Sequence, residues 1–148
     1  MSETVKVGIV GIGNMGSAHA KSIFSGNIKG MELAAVCDIA ESKRLWADEN
    51  LPGVPCYEDY KEMIDSGVCD TVIVATPHYF HSPIAIYAFE KGKNVLTEKP
   101  AGVYTKQVEE MNAAAKNPAR CSASCTISAR TRSSRKCARS CRAASWAN

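Results

Sequence analysis

Gly11, Gly13 and Gly16 fall in the stretch GIGNMG, directly after the apolar run VKVGIV. Glycines at that spacing between a strand and a helix suit phosphate chemistry. The first makes a tight turn, the second lets a pyrophosphate approach the backbone, and the third lets helix and strand pack closely. Phosphate charge then meets free N–H groups and the positive end of the helix dipole. Asp38 lies 22 residues after Gly16, at the end of the apolar run ELAAVC. A carboxylate there can accept hydrogen bonds from the adenosine ribose hydroxyls of a dinucleotide. An acid at this point favours NAD because it repels a 2′-phosphate, whereas Lys43 and Arg44 are close enough in sequence to contact one, which leaves NADP open. Read more plainly, the glycines are ordinary turn residues and Asp38 caps the next helix. The full order of strand, glycines, helix, strand and acid favours the dinucleotide.

Two further stretches carry chemical groups. ATPHYFH (Ala75–His81) begins at the end of the run TVIVAT, and TEKPAG (Thr97–Gly102) closes the run NVLT. In a doubly wound sheet both emerge at the carboxyl edge of the strands, beside the glycine loop, where ligands bind. That brings His78, His81, Glu98 and Lys99 towards one cleft. A lysine can donate to a substrate hydroxyl and, with its pKa lowered, exchange a proton with it. The bland alternatives are that His81 starts a helix and that Glu98 and Lys99 form a surface pair of little energetic worth.

The elements that must position these groups are read from periodicity. Val5–Val10, Glu32–Cys37, Thr71–Thr76 and Asn94–Thr97 are short, nearly continuous apolar runs, as expected of strands buried on both faces. Val54–Cys56 is expected to be a short further strand. Helical spacing covers Met15–Phe24, Glu41–Asn50, Tyr57–Ile64, Ser82–Lys91 and a segment near Lys106–Lys116. Pro83 sits early in its helix and Gly92 follows as a stop. Strands alternating with helices predict βαβ units, and so an α/β domain built on a doubly wound parallel sheet.

The chain has 148 residues, 45% of them apolar, which suits one compact domain. No secretory leader and no apolar run of bilayer-spanning length is legible, so a cytoplasmic protein without membrane contact is expected. The net charge of +3 averages two unlike segments: residues 1–116 carry 11 basic and 15 acidic side chains, and residues 117–148 carry seven basic and no acidic ones. Cys37, Cys56 and Cys69 are scattered and read as small buried hydrophobes. Cys121, Cys125, Cys137 and Cys141 crowd the tail. Their spacing is wider than in usual structural zinc sites and lacks apolar support, so no metal is expected. Nucleic acid is a weak alternative partner: the tail's positive charge would bind phosphate by electrostatics alone, with Trp146 its only aromatic residue. With so little apolar content the tail is expected to be disordered.

Together VKVGIVGIGNMGSAHA, the acid of VCDIA, ATPHYFH and NVLTEKPAG resemble the N-terminal half of the Gfo/Idh/MocA oxidoreductases, over about residues 4–116. The resemblance implies a nicotinamide-binding Rossmann domain of enzymes that transfer hydride to or from a hydroxyl, usually of a sugar or cyclitol. Carried over by position, it implies that Gly11 and Gly16 form the glycine loop. Gly13, Asn14 and Met15 would touch the pyrophosphate, and Asp38 the ribose. Thr76, Pro77, His78 and His81 would line the dinucleotide cleft, Glu98 would approach the nicotinamide ribose, and Lys99 would contact cofactor and substrate. It also implies a cis Lys99–Pro100 bond. Many relatives carry Asn where this chain has His78. The family continues with a sixth strand and a second, substrate-binding domain, and neither is legible here. Back-translated and reread in a shifted phase, Cys121–Arg132 can yield Phe-Ser-Ile-Met-Tyr-Asn-Gln-Arg-Thr-Asn-Pro, and Arg142–Asn148 can yield Gly-Gly-Glu-Leu-Gly-Glu. Both strings resemble what the family carries there, so the tail reads as a frameshift product beginning near Asn117. A fragment that binds cofactor with little turnover is therefore expected, with an exposed sheet edge at Asn94–Thr97 open to self-association.

Overall fold

The computed structural model describes residues 4–116. The expectations for the tail, its four cysteines, its basic arm and its reading frame all lie outside the described residues.

Five parallel strands form the sheet: β1 (Val5–Val10), β2 (Met31–Cys37), β3 (Cys56–Tyr57), β4 (Thr71–Val74) and β5 (Asn94–Thr97). Their spatial order is β3-β2-β1-β4-β5. Helices α1 (Asn14–Phe24), α2 (Glu41–Asn50), α3 (Tyr60–Asp65), α4 (His81–Glu90) and α5 (Thr105–Ala115) connect or follow the strands, and a 3₁₀ turn, His78–Phe80, precedes α4. The expected doubly wound parallel sheet is thus present.

Side-chain alternation along the strands builds two cores. On one face Val7 and Ile9 of β1 and Ile73 of β4 pack with Ala20 and Ile23 of α1 and Ala47 of α2. On the other, Val10, Val72, Val74 and Val95 meet Met63 and Ile64 of α3, Ile84 and Phe89 of α4, and Met111 of α5. Strands covered on both sides have no polar face, which is why they read as continuous apolar runs. In β2 the pairing jumps from Val7↔Leu33 to Gly8↔Ala35. This one-residue irregularity puts Leu33 and Val36 on the same side of the sheet while Ala35 and Cys37 face the other.

Several boundaries differ from the periodicity reading. β3 is Cys56–Tyr57 rather than Val54–Cys56 because only these two residues pair with Val36 and Cys37. α3 starts at Tyr60 rather than Tyr57 because the Asp59 carboxylate caps it, accepting from the Lys61 N–H at 2.8 Å. β4 ends at Val74, where its pairing with β5 ends at Thr97. Among the described residues β5 pairs only with β4 and forms one edge of the sheet. No helix among them is long and apolar enough to cross a membrane.

Candidate functional site

The strand order reverses between β1 and β4, and the loops leaving their carboxyl ends diverge there. This is where an open parallel sheet offers a crevice. The crevice holds about 700 Å³, with Gly11, Gly13, Asp38, Lys43, Thr76 and Pro77 in its wall. That size is typical of small-molecule and cofactor sites.

The glycine loop is shaped by steric necessity. Gly11 has φ +93°, and a Cβ there would lie 2.8 Å from the Ala75 carbonyl oxygen. Its N–H donates to the Cys37 carbonyl at 2.8 Å, tying the loop to the end of β2. A Cβ on Gly16 would overlap the carbonyl oxygen of Gly11, so α1 approaches β1 only because that position has no side chain. Gly13 differs from both: a Cβ there would meet nothing within 4 Å. It is the N-cap of α1, and no side chain caps the helix. The first N–H groups of α1 thus open beside unfilled space, as an anion requires. Asn14 and Met15, in this first turn, are exposed.

Asp38 is held by the same loop. Its Oδ2 accepts from the Ile12 N–H at 2.7 Å and its Oδ1 from the Ala40 N–H at 2.9 Å. The N-cap of α2 is Ala40, not Asp38. Two fixed N–H donors leave the remaining lone pairs of the carboxylate for ligand hydroxyls. Arg44 is turned inward: Nη1 donates to the carbonyls of Asp38 and Ile39 at 3.0 and 2.9 Å, and Nη2 lies 3.5 Å from Glu58. Lys43 faces the cleft, as do the acids Glu58 and Asp59. Cys37 is also at the cleft. Burial pushes its thiol up to about 12, with the charges of Cys56, Asp38 and Asp59 adding to the rise and Arg44 opposing it. It is a neutral packing group.

Across the cleft, the Thr76 hydroxyl is buried without a partner. A buried unpaired hydroxyl in a cleft wall is able to accept a hydrogen bond or donate one. His78 is exposed, with its ring 5.7 Å from that of His81 in an edge-on arrangement. His81 is placed differently from the sequence expectation. It is fully buried, and its two ring nitrogens lie against the carbonyls of Thr76 and Pro100. It underpins the cleft rather than lining it, because both polar atoms are engaged by backbone. Glu98 follows β5 and bonds through Oε1 to His19 Nε2 of α1 at 2.6 Å. Lys99 is exposed, next to a cis bond to Pro100.

Sequence reasoning gave no role to His19, which lies in the stretch GSAHA and meets Glu98 across 79 positions. It also missed Ile39 and Phe80, exposed by 83% and 56% yet set at the cleft. A large apolar residue directly after the acid of the second strand was the available cue for Ile39. Among the described residues no group of three or more His, Cys, Asp or Glu is placed to hold a metal ion.

A parallel sheet whose first strand runs through a glycine turn into an uncapped helix, with a carboxylate from the second strand bonded to that turn, defines a dinucleotide-binding domain of the Rossmann type. Residues 5–125 match the oxidoreductase family with an NAD-binding Rossmann fold, GFO_IDH_MocA. The chain belongs to that family. It is 35% identical over 100 residues to inositol 2-dehydrogenase of Pseudarthrobacter chlorophenolicus, covering 68% of this chain and 29% of that protein. It is 34% identical over 107 residues to a glycosyl hydrolase family 109 protein of Shewanella pealeana, covering 66% and 23%. The fold superposes with TM-score 0.78 and 27% identity on scyllo-inositol dehydrogenase of Lactobacillus casei, crystallised with NAD(H) and scyllo-inositol, over 85% of this chain and 36% of that one. The chain therefore spans about a third or less of these relatives' length.

Proposed function

We propose that this chain is the cofactor-holding part of an NAD-dependent oxidoreductase that moves hydride between the nicotinamide and a hydroxyl of a cyclitol or sugar. The observation that carries the proposal is the Asp38 bond to the Ile12 N–H beside the open space at Gly13. Bound there, NAD supplies the hydride acceptor or donor. The backbone at Gly13, Asn14 and Met15 holds the diphosphate, and Asp38 accepts from ribose hydroxyls. Thr76 offers its unpaired hydroxyl, and Pro77 and His78 edge the same loop. Glu98, bonded to His19, would approach the nicotinamide ribose, and Lys99 would contact cofactor and substrate and exchange the hydroxyl proton. Asp38, Glu58 and Asp59 outnumber Lys43 and Arg44 at the ribose end, and Arg44 is engaged by two backbone carbonyls and by Glu58, which supports NAD over NADP. The substrate class is carried from the inositol dehydrogenases named above.

Isothermal titration with NAD and with NADP tests the cofactor assignment. Saturable heat with NAD and a weaker response with NADP are expected. No saturation by either removes the assignment.

A further inference from the structure

We propose that His81 is a positioning residue that holds together, only when its ring is doubly protonated, the two loops on which the cofactor cleft depends. The inference rests on the proposed cofactor site but concerns a residue outside the cleft wall.

His81 opens α4 and is 0% exposed. Its Nε2 lies 2.7 Å from the Thr76 carbonyl oxygen and its Nδ1 lies 2.9 Å from the Pro100 carbonyl oxygen. A carbonyl oxygen only accepts, whereas a neutral imidazole carries one N–H and one lone pair. In a neutral ring one of these contacts would set a lone pair against a carbonyl oxygen at hydrogen-bond distance, which is repulsive. Both contacts are hydrogen bonds only if both nitrogens donate, that is, in the imidazolium. The two acceptors sit on different loops. Thr76 follows β4 and belongs to the cleft wall, and Pro100 follows Lys99 on the segment leaving β5. The ring thus spans the gap between the loop that presents the Thr76 hydroxyl and the loop that carries Lys99.

A buried cation without a bonded carboxylate is costly, and so is the neutral ring in this setting. The arrangement therefore has two states. Protonated, the ring binds both loops. Neutral, it keeps one carbonyl and releases the other. The titratable groups around it are few. The His78 ring lies 5.7 Å away on the same loop. The β5–α5 segment contributes Lys99, exposed and adjacent to Pro100, and Glu98, which is taken up by His19 of α1. α5 meets the start of α4 through a neutral contact, the Ser82 hydroxyl donating to the Gln107 carbonyl at 2.9 Å. A cleft that needs both loops in place binds its ligand more tightly when His81 is charged. By linkage, ligand binding then favours proton uptake at His81.

The test is a long-range ¹H–¹⁵N spectrum of the three histidines of the full chain, recorded across pH with and without NAD, alongside NAD titration at each pH. The expected result is that both His81 nitrogens show protonated shifts at the acidic end. Loss of one proton should move the amide signals of Thr76 and Ala101 together, and NAD affinity should fall several-fold over the same interval. A single neutral tautomer of His81 at every pH at which the protein is folded overturns the proposal. So does NAD affinity that is unchanged through the His81 titration. If NAD fails to bind at all, the cofactor assignment is at fault, and the cofactor-free spectrum still decides the state of His81 and its grip on the two loops. The variant His81→Phe, which keeps a ring but no donor, should bind NAD weakly and without the pH dependence. If that variant fails to fold, the wild-type spectrum remains decisive.

Discussion

Gly13 and Gly16 separate binding from folding, because the fold has room for a side chain at Gly13 and excludes one at Gly16. At Gly13 the backbone is extended, with φ −74° and ψ −163°, which any residue adopts, and a Cβ would meet nothing within 4 Å. In Gly13→Ala the reduced freedom of the unfolded chain contributes about 0.4–1 kcal/mol of stability. Alanine is a poorer N-cap than glycine by a similar amount, of order 0.5–1 kcal/mol. The two terms nearly cancel, and the melting temperature should stay within about 4 °C of wild type. The new methyl group nevertheless occupies the approach to the uncapped N–H groups of α1, and NAD affinity should fall about tenfold or more, a loss of at least ~1.4 kcal/mol. Gly16→Ala behaves in the opposite way. Its Cβ would overlap the Gly11 carbonyl oxygen and come 2.9 Å from the carbonyl carbon, and both are backbone atoms that cannot rotate aside. Displacing α1 from β1 costs about 1–3 kcal/mol, and a domain of this size loses roughly 4 °C per kcal/mol. Circular dichroism melts and isothermal titration with NAD measure both variants. A Gly13→Ala protein that melts normally and binds NAD as tightly as wild type would refute the placement of the diphosphate at this turn. An unaltered melt for Gly16→Ala would refute the close approach of helix and strand.

Asp38→Ala leaves the buried Ile12 N–H without its acceptor, and should lower stability by about 1–3 kcal/mol together with NAD affinity. Urea unfolding and titration follow the two losses, and stability equal to wild type would show that this bond is not made. Thr97→Val removes a buried hydroxyl that has no partner while keeping its shape, so the melting temperature should hold or rise, by up to about 1 kcal/mol in stability. A clear drop would mean the hydroxyl is bonded. The Cys37 thiol is raised to about 12 from an ordinary 9.0, so the folded protein keeps it protonated while the unfolded chain releases the proton above 9.0. Its stabilising contribution is complete below that pH and declines as pH rises from 9.0 towards 12, by at most about 1.4 kcal/mol per unit. Urea melts at pH 8 and pH 10 should show this decline reduced in Cys37→Ala. His19→Leu breaks the bond to Glu98 and should speed amide exchange at residues 98–102 and weaken NAD binding. His19→Gln, which retains a donor, should recover part of both, and equal behaviour of the two variants would remove the bridge as the cause.

The two-faced parallel sheet, the glycine turn after β1 and the acid after β2 were all legible in the amino-acid sequence. Each rests on rules that act over a few residues: alternation along a buried strand, the sterics of a residue without Cβ, and the short reach from a strand end to the next helix. Other features were decided only by the tertiary structure. The bridge between His19 and Glu98 and the burial of His81 between the Thr76 and Pro100 carbonyls depend on which strands lie side by side. β1, β4 and β5 are neighbours in space though far apart in the chain. Parallel pairing brings their trailing loops to a single edge, and a side chain's partner there is chosen by that edge rather than by its neighbours in sequence.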